Sequence, residues 1–253
     1  MTVPVAVFAS GSGTNLQSLL DREEAGETGE GAPVVGERAE ESPYRIRLVV
    51  SDRPEAGALE RAEAAGRRRE VIPVTDRPSE EVAADTLALL EEEEIRAVFL
   101  AGYLRLVPPA VVKEYRRRIL NIHPALLPSF GGKGMYGIRI HEDVLRTGAR
   151  ITGVTVHYVD EEYDTGTILA QWPVPVRADD TPEALAARVL RLEHVLYPAA
   201  ASHLCEALGR GVDPGPFDPP GELFSLDDGA AIDETARAVR KSFQSTSLRK
   251  RDP

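Results

Sequence analysis

The chain has 253 residues, of which 41 are acidic and 30 basic, for a formal net charge of −11 and a pI near 5.1. Such acidity repels duplex phosphates and anionic lipid, so a general nucleic-acid coat or a membrane-surface binder is excluded, while local positive potential still admits an anionic substrate. With 42% apolar and 28% charged residues, the chain can bury a core. At this length that is roughly three quarters of its unfolded surface, in one large domain or two small ones.

Cys205 is the only cysteine. No internal disulfide can form, which suits a reducing compartment, and the residue reads as a small buried hydrophobe rather than a reactive thiol. The apolar run at the N-terminus has no basic region before it and reads as a strand, not a signal peptide. No stretch is long and apolar enough for a membrane span; even 97–112 is interrupted by Arg105. A cytoplasmic location is expected.

Residues 3–8 are β-rich and lead through Ala9-Ser10-Gly11-Ser12-Gly13-Thr14-Asn15 into Leu16-Gln17-Ser18-Leu19-Leu20, the pattern of a strand, a small-residue turn and a helix. Segment 21–41 carries eight acids, two bases and four glycines and reads as a solvated loop or insertion. A strand is expected at 45–51, a helix at 57–65 ending at Gly66, and a strand at 70–74. A further helix is expected at 79–94, with Ser79 as its cap and Leu87 and Leu90 inward. The continuous apolar run 97–101 predicts a strand covered on both faces. Residues 108–116 predict a helix and 119–122 a strand. Strands alternating with helices over the first 120 or so residues predict an α/β fold, a doubly wound and mostly parallel sheet.

The second half reads differently. Segments 151–158 and 168–176 are expected to form an antiparallel strand pair. Thr181-Pro182 opens a long helix to about residue 208, bent at Pro198. After Gly211 the chain turns Pro/Gly-rich, and 232–243 is amphipathic. The expected organisation is one domain over 1–210, with an acidic insertion at 21–44 and an extension of unassigned role at 211–253.

Chemistry concentrates at two places. The glycines of Gly11-Ser12-Gly13-Thr14-Asn15 permit a tight turn whose free backbone N–H groups open the next helix, either a phosphate cradle or a plain structural turn. No Lys follows the second glycine, so this is not a Walker motif, and the third glycine of the dinucleotide fingerprint is missing. In Leu120-Asn121-Ile122-His123-Pro124, Asn121 and His123 share one face of an extended chain at the carboxyl end of a strand. An amide can donate to a developing oxyanion and an imidazole can move a proton near neutral pH, which suits attack by an amine on a carbonyl. A carboxylate should orient that imidazole. Among the acids of Tyr158-Val159-Asp160-Glu161-Glu162-Tyr163-Asp164-Thr165-Gly166, Asp164 sits nearest the sheet. Glu193 has Val189, Leu190, Leu196 and Tyr197 as its helical neighbours, so it needs a partner, either a basic side chain or a polar ligand. His194 and His203 read as packing or surface residues. His141, Asp143 and His157 lack metal-ligand spacing, and no metal is expected.

Taken together these pieces resemble phosphoribosylglycinamide formyltransferases. The matching stretches are Ala9–Gln17, Leu100-Ala101-Gly102-Tyr103-Leu104-Arg105-Leu106, Leu120–Pro124, Asp164-Thr165-Gly166 and Glu193-His194, in family order over residues 3 to about 210. The resemblance implies a Rossmann-like formyltransferase fold and transfer of formyl from 10-formyltetrahydrofolate to the amine of glycinamide ribonucleotide in purine biosynthesis, without metal or ATP. It implies that Gly13, Thr14 and Asn15 hold the ribonucleotide phosphate and that Glu193 contacts the ribonucleotide. It further implies that Leu104, Arg105, Leu106 and Val107, with Asn121, line the folate pocket. Asn121 and His123 would act on the formyl carbon, and Asp164 would raise the basicity of His123. The partners implied are these two small molecules, with no nucleic acid or membrane, in a monomer or homodimer. The family's basic folate contact after the third strand has only Arg77 to fill it, and that role is left open. The glycine-rich loop 129–139 either orders over substrates or is plain surface.

Three rivals share parts of this pattern. A formyltetrahydrofolate deformylase would use the same Asn and His on water, but such enzymes usually add a regulatory domain before the first strand. A methionyl-tRNA formyltransferase would add a basic barrel after residue 211. A non-catalytic phosphate- or nucleotide-binding module would keep the glycine turn and leave Asn121, His123 and Asp164 coincidental.

Overall fold

The computed structural model describes residues 2–28, 42–215 and 217. By its contacts the chain divides after Pro219, and the second unit, Pro220–Pro253, lies outside the described residues. The described elements run β1 (Val3–Phe8), α1 (Thr14–Thr28), β2 (Tyr44–Ser51), α2 (Gly57–Ala64), β3 (Arg68–Val71), α3 (Ser79–Glu92) and β4 (Ala97–Leu100). They continue with α4 (Pro109–Glu114), β5 (Ile119–His123), α5 (Ile138–Arg146), β6 (Ile151–Tyr158), β7 (Ile168–Pro175) and α6 (Pro182–Arg210).

Seven strands form one sheet in the order β3-β2-β1-β4-β5-β6-β7. β1 pairs in parallel with β2 and β4, β2 with β3, and β4 with β5. β6 runs antiparallel to β5 and to β7. The alternation of side chains sets the layers. Val3, Val5 and Val7 of β1 and Ala97 and Phe99 of β4 face a core shared with α1, α2, α5 and α6. Ala6, Phe8, Val98 and Leu100 face the opposite core, closed by α3 and α4. Tyr197 of α6 ties the sheet centre together, its hydroxyl donating to the carbonyls of Leu100 (3.0 Å) and Leu120 (3.1 Å).

Several boundaries differ from the sequence reading, each for a physical reason. α1 continues to Thr28, well into the acidic segment. Leu16, Leu19 and Leu20 bury its stripe, and Glu23 is 1% exposed. That carboxylate accepts Ile46 N–H at 3.0 Å and pairs with Arg67 at 2.8 Å; a buried pair of this kind is invisible to charge counting. Residues 29–41, the rest of the expected insertion, lie outside the described residues, as does 232–243. Ser79 is not a cap: Pro78 holds the extended conformation before the helix, and no side chain caps it. β3 begins two residues early because Arg68 pairs in register with Leu48. α5 lies partly in the glycine-rich loop, where the sequence predicts no helix; Ile140, His141 and Val144 bury its inner face. α6 opens at the expected cap, Thr181, whose Oγ1 accepts Ala184 N–H at 3.2 Å; it runs through Pro198, and Gly211 ends it in the left-handed region. Cys205 is buried, and burial pushes its thiol well above the ordinary range.

Candidate active site

The parallel strands β1, β2, β4 and β5 all deliver their carboxyl ends to one edge of the sheet, where ligands collect in open α/β folds. The turn after β1 lies there. Gly13 has φ +75°, and a Cβ on it would lie 2.7 Å from Ala58 Cα, so both conformation and the close approach of α2 demand glycine. Arg61 of α2 braces the turn: its Nε donates to the Ser12 carbonyl (2.8 Å) and Nη1 to Gln17 Oε1 (3.0 Å). The Gly13 carbonyl accepts Gln17 N–H at 2.9 Å. Among the described residues none accepts the backbone N–H of Gly13, Thr14 or Asn15. These are the orphan donors of a helix start.

Asn15 and Glu193 meet here across 178 residues of sequence. Asn15 Nδ2 donates to Glu193 Oε2 at 2.7 Å. Glu193 is 6% exposed, and burial pushes its carboxyl up, against the opposing pull of Asn15. The partner that its apolar surroundings demand is therefore an amide of the glycine turn rather than a basic side chain. His194, beside it, keeps a buried Nε2 without a hydrogen-bond partner among the described residues.

Asn121, His123 and Asp164 converge at the end of β5. Asp164 Oδ1 stands 3.6 Å from His123 Nδ1 and 3.5 Å from His157 Nε2, and Oδ2 accepts Gly132 N–H at 2.8 Å. Burial pushes the Asp164 carboxyl up, but His157, His123 and the Gly132 N–H outweigh it and hold the carboxyl below its ordinary value. Burial lowers the His123 pKa below 6.5, more than Asp164 and the Phe130 carbonyl raise it. Burial thereby favours the neutral ring of His123, which carries one proton. Its Nε2 lies 2.9 Å from the Phe130 carbonyl, which takes that proton and leaves Nδ1, on the Asp164 side, as the basic nitrogen.

His157 lacks metal-ligand spacing in the sequence, yet it lies at the site. Antiparallel register places it directly opposite Asn121. Its Nδ1 donates to the Tyr158 carbonyl at 2.9 Å and its Nε2 faces Asn121 Nδ2 at 3.0 Å. The same Nε2 lies 3.5 Å from Asp164 Oδ1, so His157 stands between the Asn121 amide and the carboxylate. Alternation within β6 hinted at the face His157 occupies, but only register identifies its neighbour.

A brace holds the following loop. Thr155, opposite His123 in β6, donates from Oγ1 to the Ala125 carbonyl at 2.6 Å and accepts Leu127 N–H at 3.1 Å. Gln171 Nε2 donates to Thr155 Oγ1 and to the Leu127 carbonyl. The loop 129–137 reaches the site through the Phe130 carbonyl and the Gly132 N–H.

Next to these groups is the turn after β4. Leu104 and Leu106 are 39% and 41% exposed, a half-open apolar surface beside Arg105. Val107 is buried and belongs to the α3/α4 core, so it can offer a ligand only backbone. Arg77 is engaged elsewhere, donating to Asp85 at 2.6 Å and to the Pro73 carbonyl. Asp160, Glu161 and Glu162 are exposed. Among the described residues no cluster of three or more His, Cys, Asp or Glu is arranged to hold a metal ion, and no helix is long and apolar enough to cross a membrane.

Comparison with known proteins agrees with this geometry. The formyl transferase family model matches residues 3–201. A phosphoribosylglycinamide formyltransferase of Arabidopsis thaliana, described as chloroplastic, is 44% identical over 204 residues, covering 80% of this chain and 65% of that protein. One from Bacillus subtilis is 35% identical over 212 residues, 81% of this chain and 96% of the relative. The crystal structure of glycinamide ribonucleotide transformylase 1 from Symbiobacterium toebii superposes with a TM-score of 0.70 at 36% identity, over 81% of this chain and 89% of that one. The chain belongs to the formyl transferase family and groups within it with the phosphoribosylglycinamide formyltransferases.

Proposed function

We propose that the domain over 1–210 transfers the formyl group of 10-formyltetrahydrofolate to the amine of glycinamide ribonucleotide, giving formylglycinamide ribonucleotide and tetrahydrofolate in purine biosynthesis. The observation that carries this reading is the convergence of Asn121, His123 and Asp164 between a helix start with free N–H donors and a half-open apolar turn. Gly13, Thr14 and Asn15 hold the phosphate by backbone N–H groups. Glu193, fixed by Asn15, receives a donor of the ribonucleotide. The residues after β4 fit a folate: Leu104 and Leu106 offer apolar surface to a flat ring, and the backbone of 104–107 supplies polar partners.

The neutral amine attacks the formyl carbon and the carbonyl oxygen becomes an oxyanion. The Asn121 amide N–H stabilises that charge, as does His123 when protonated. A proton leaves the attacking nitrogen and one must reach the departing folate nitrogen. The His123–Asp164 pair relays it, Nδ1 accepting on the carboxylate side and Asp164 stabilising the imidazolium. Loss of one such group costs about 10²- to 10⁴-fold in rate. The formyl group arrives activated, so the reading calls for neither ATP nor metal. It takes two small molecules as partners, in the cytoplasm, in a monomer or homodimer.

The test is formyl transfer with purified protein, run with and without the amine substrate. Transfer without ATP, lost in His123→Ala, is expected. Formate release independent of the amine would establish a deformylase instead, and full activity in His123→Ala would remove the mechanism.

A further inference from the structure

Three strand ends are joined by a group that the mechanism does not use. Asp52 follows β2, and its side chain is completely buried. Its Oδ2 accepts the Arg105 Nε–H at 2.8 Å and lies 3.6 Å from Arg53 Nε. Ser10, after β1, stands beside this carboxylate and stabilises its charge. The Ser10 Oγ in turn accepts Leu104 N–H at 3.0 Å, and the Ser10 N–H donates to the Gly102 carbonyl at 3.1 Å. The turn after β4 is therefore held at three points, Gly102, Leu104 and Arg105, all leading back to Ser10 and Asp52.

The arrangement is costly as pure structure. Asp52 Oδ1 is buried without a hydrogen-bond partner among the described residues, and a buried, incompletely paired carboxylate is weaker support than apolar packing of the same volume. What it supplies is orientation. It grips Arg105 by Nε alone, while the two Nη groups have no acceptor among the described residues and the side chain is 39% exposed. Arg105 is thus fixed yet free to meet a ligand, and Leu104 and Leu106 stay half-exposed instead of collapsing onto the core.

We infer that Asp52 is a positioning residue which, through Ser10 and Arg105, holds the turn 102–107 in the shape that receives the folate co-substrate; this rests on the assignment of that turn to folate. The experiment measures kcat and both KM values on the full chain for Asp52→Asn and Ser10→Ala, with Arg105→Ala as reference, alongside thermal melting. Loss of a charge-assisted hydrogen bond predicts about a tenfold rise in the KM for 10-formyltetrahydrofolate in Asp52→Asn. The ribonucleotide KM and kcat should stay within about twofold. Ser10→Ala should move the same parameter by less, and the double variant should fall short of the product of the two, as expected for one network. A merely structural role would raise both KM values and lower kcat and Tm together, and that outcome overturns the inference. So does an unchanged folate KM in Asp52→Asn and Ser10→Ala when Arg105→Ala raises it. If Arg105→Ala leaves it unchanged too, the assignment of the turn to folate falls first. Should Asp52→Asn fail to fold, Ser10→Ala decides alone.

Discussion

Gly166→Ala tests the site geometry without touching a catalytic group. A Cβ at this position would lie 1.8 Å from the Tyr158 carbonyl oxygen and 2.8 Å from its carbon. Carbon and oxygen approach to about 3.3 Å, so something must move by about 1.5 Å. Neither neighbour can give without consequence. The Tyr158 carbonyl accepts the proton that fixes His157, while Tyr158 N–H donates to Thr167 at 2.9 Å, and Asp164 lies two residues before the glycine. A displacement of about 1 Å in a catalytic group costs ~10²-fold. kcat for formyl transfer should therefore fall at least about 100-fold, with a stability loss of about 1–3 kcal/mol from overpacking. Steady-state kinetics well below the midpoint of melting, with circular dichroism to confirm folding, measure both. Gly215→Ala, with nothing within 4 Å of the added atom, is the control and should behave as wild type. A folded Gly166→Ala protein with kcat within about threefold of wild type would refute the claim that the placement of Asp164 and His157 sets the rate.

Two further predictions concern protonation. In Asp164→Asn the plateau of kcat should fall about 10²- to 10⁴-fold. Its acid limb should also move to lower pH, because the carboxylate raises the His123 pKa against the dominant effect of burial; a limb that moves up contradicts the relay. His141, buried on α5 with Nδ1 unpartnered among the described residues, has its pKa lowered to about 4 by burial and by His123. The unfolded chain then binds a proton near pH 6.5 that the folded chain refuses, so stability contributed by neutral His141 is present above that pH and is lost as pH falls towards 4. Up to about 2 kcal/mol should disappear between pH 7 and pH 5. Urea unfolding of His141→Gln should show that much less acid sensitivity than wild type, and equal losses in the two proteins would show that His141 does not carry the effect.

Much of the site was legible because local pattern and site coincide on one strand or turn. Asn121 and His123 share a face of β5 by simple alternation, and Gly13 is demanded by a turn whose chemistry repeats in many sheets. Glu193 announced its need for a partner by lying among apolar helical neighbours, yet the partner, Asn15, is distant in the chain and no spacing rule reaches it. His157, Asp52 and Arg61 were missed for the same reason. Their meaning lies in register and in the packing of neighbouring strand ends. The acidic segment shows the converse error: composition read 21–28 as solvated, whereas a buried stripe and the Glu23–Arg67 pair extend α1 through it.

The alternation of strands and helices determined the doubly wound sheet and the edge where ligands collect, while the net charge of −11 narrowed only the classes of partner, because period and composition are local properties of the chain. Tertiary structure alone decided which groups meet: β5 and β6 run antiparallel in a register that sets His157 against Asn121, and the closure of α6 on α1 joins Glu193 to Asn15. It also decided protonation, since burial lowers the His123 pKa and raises that of Glu193. Hydrogen bonds and desolvation act over a few ångströms of space, whatever the distance in sequence, so the working charges of this site exist only once the chain has folded.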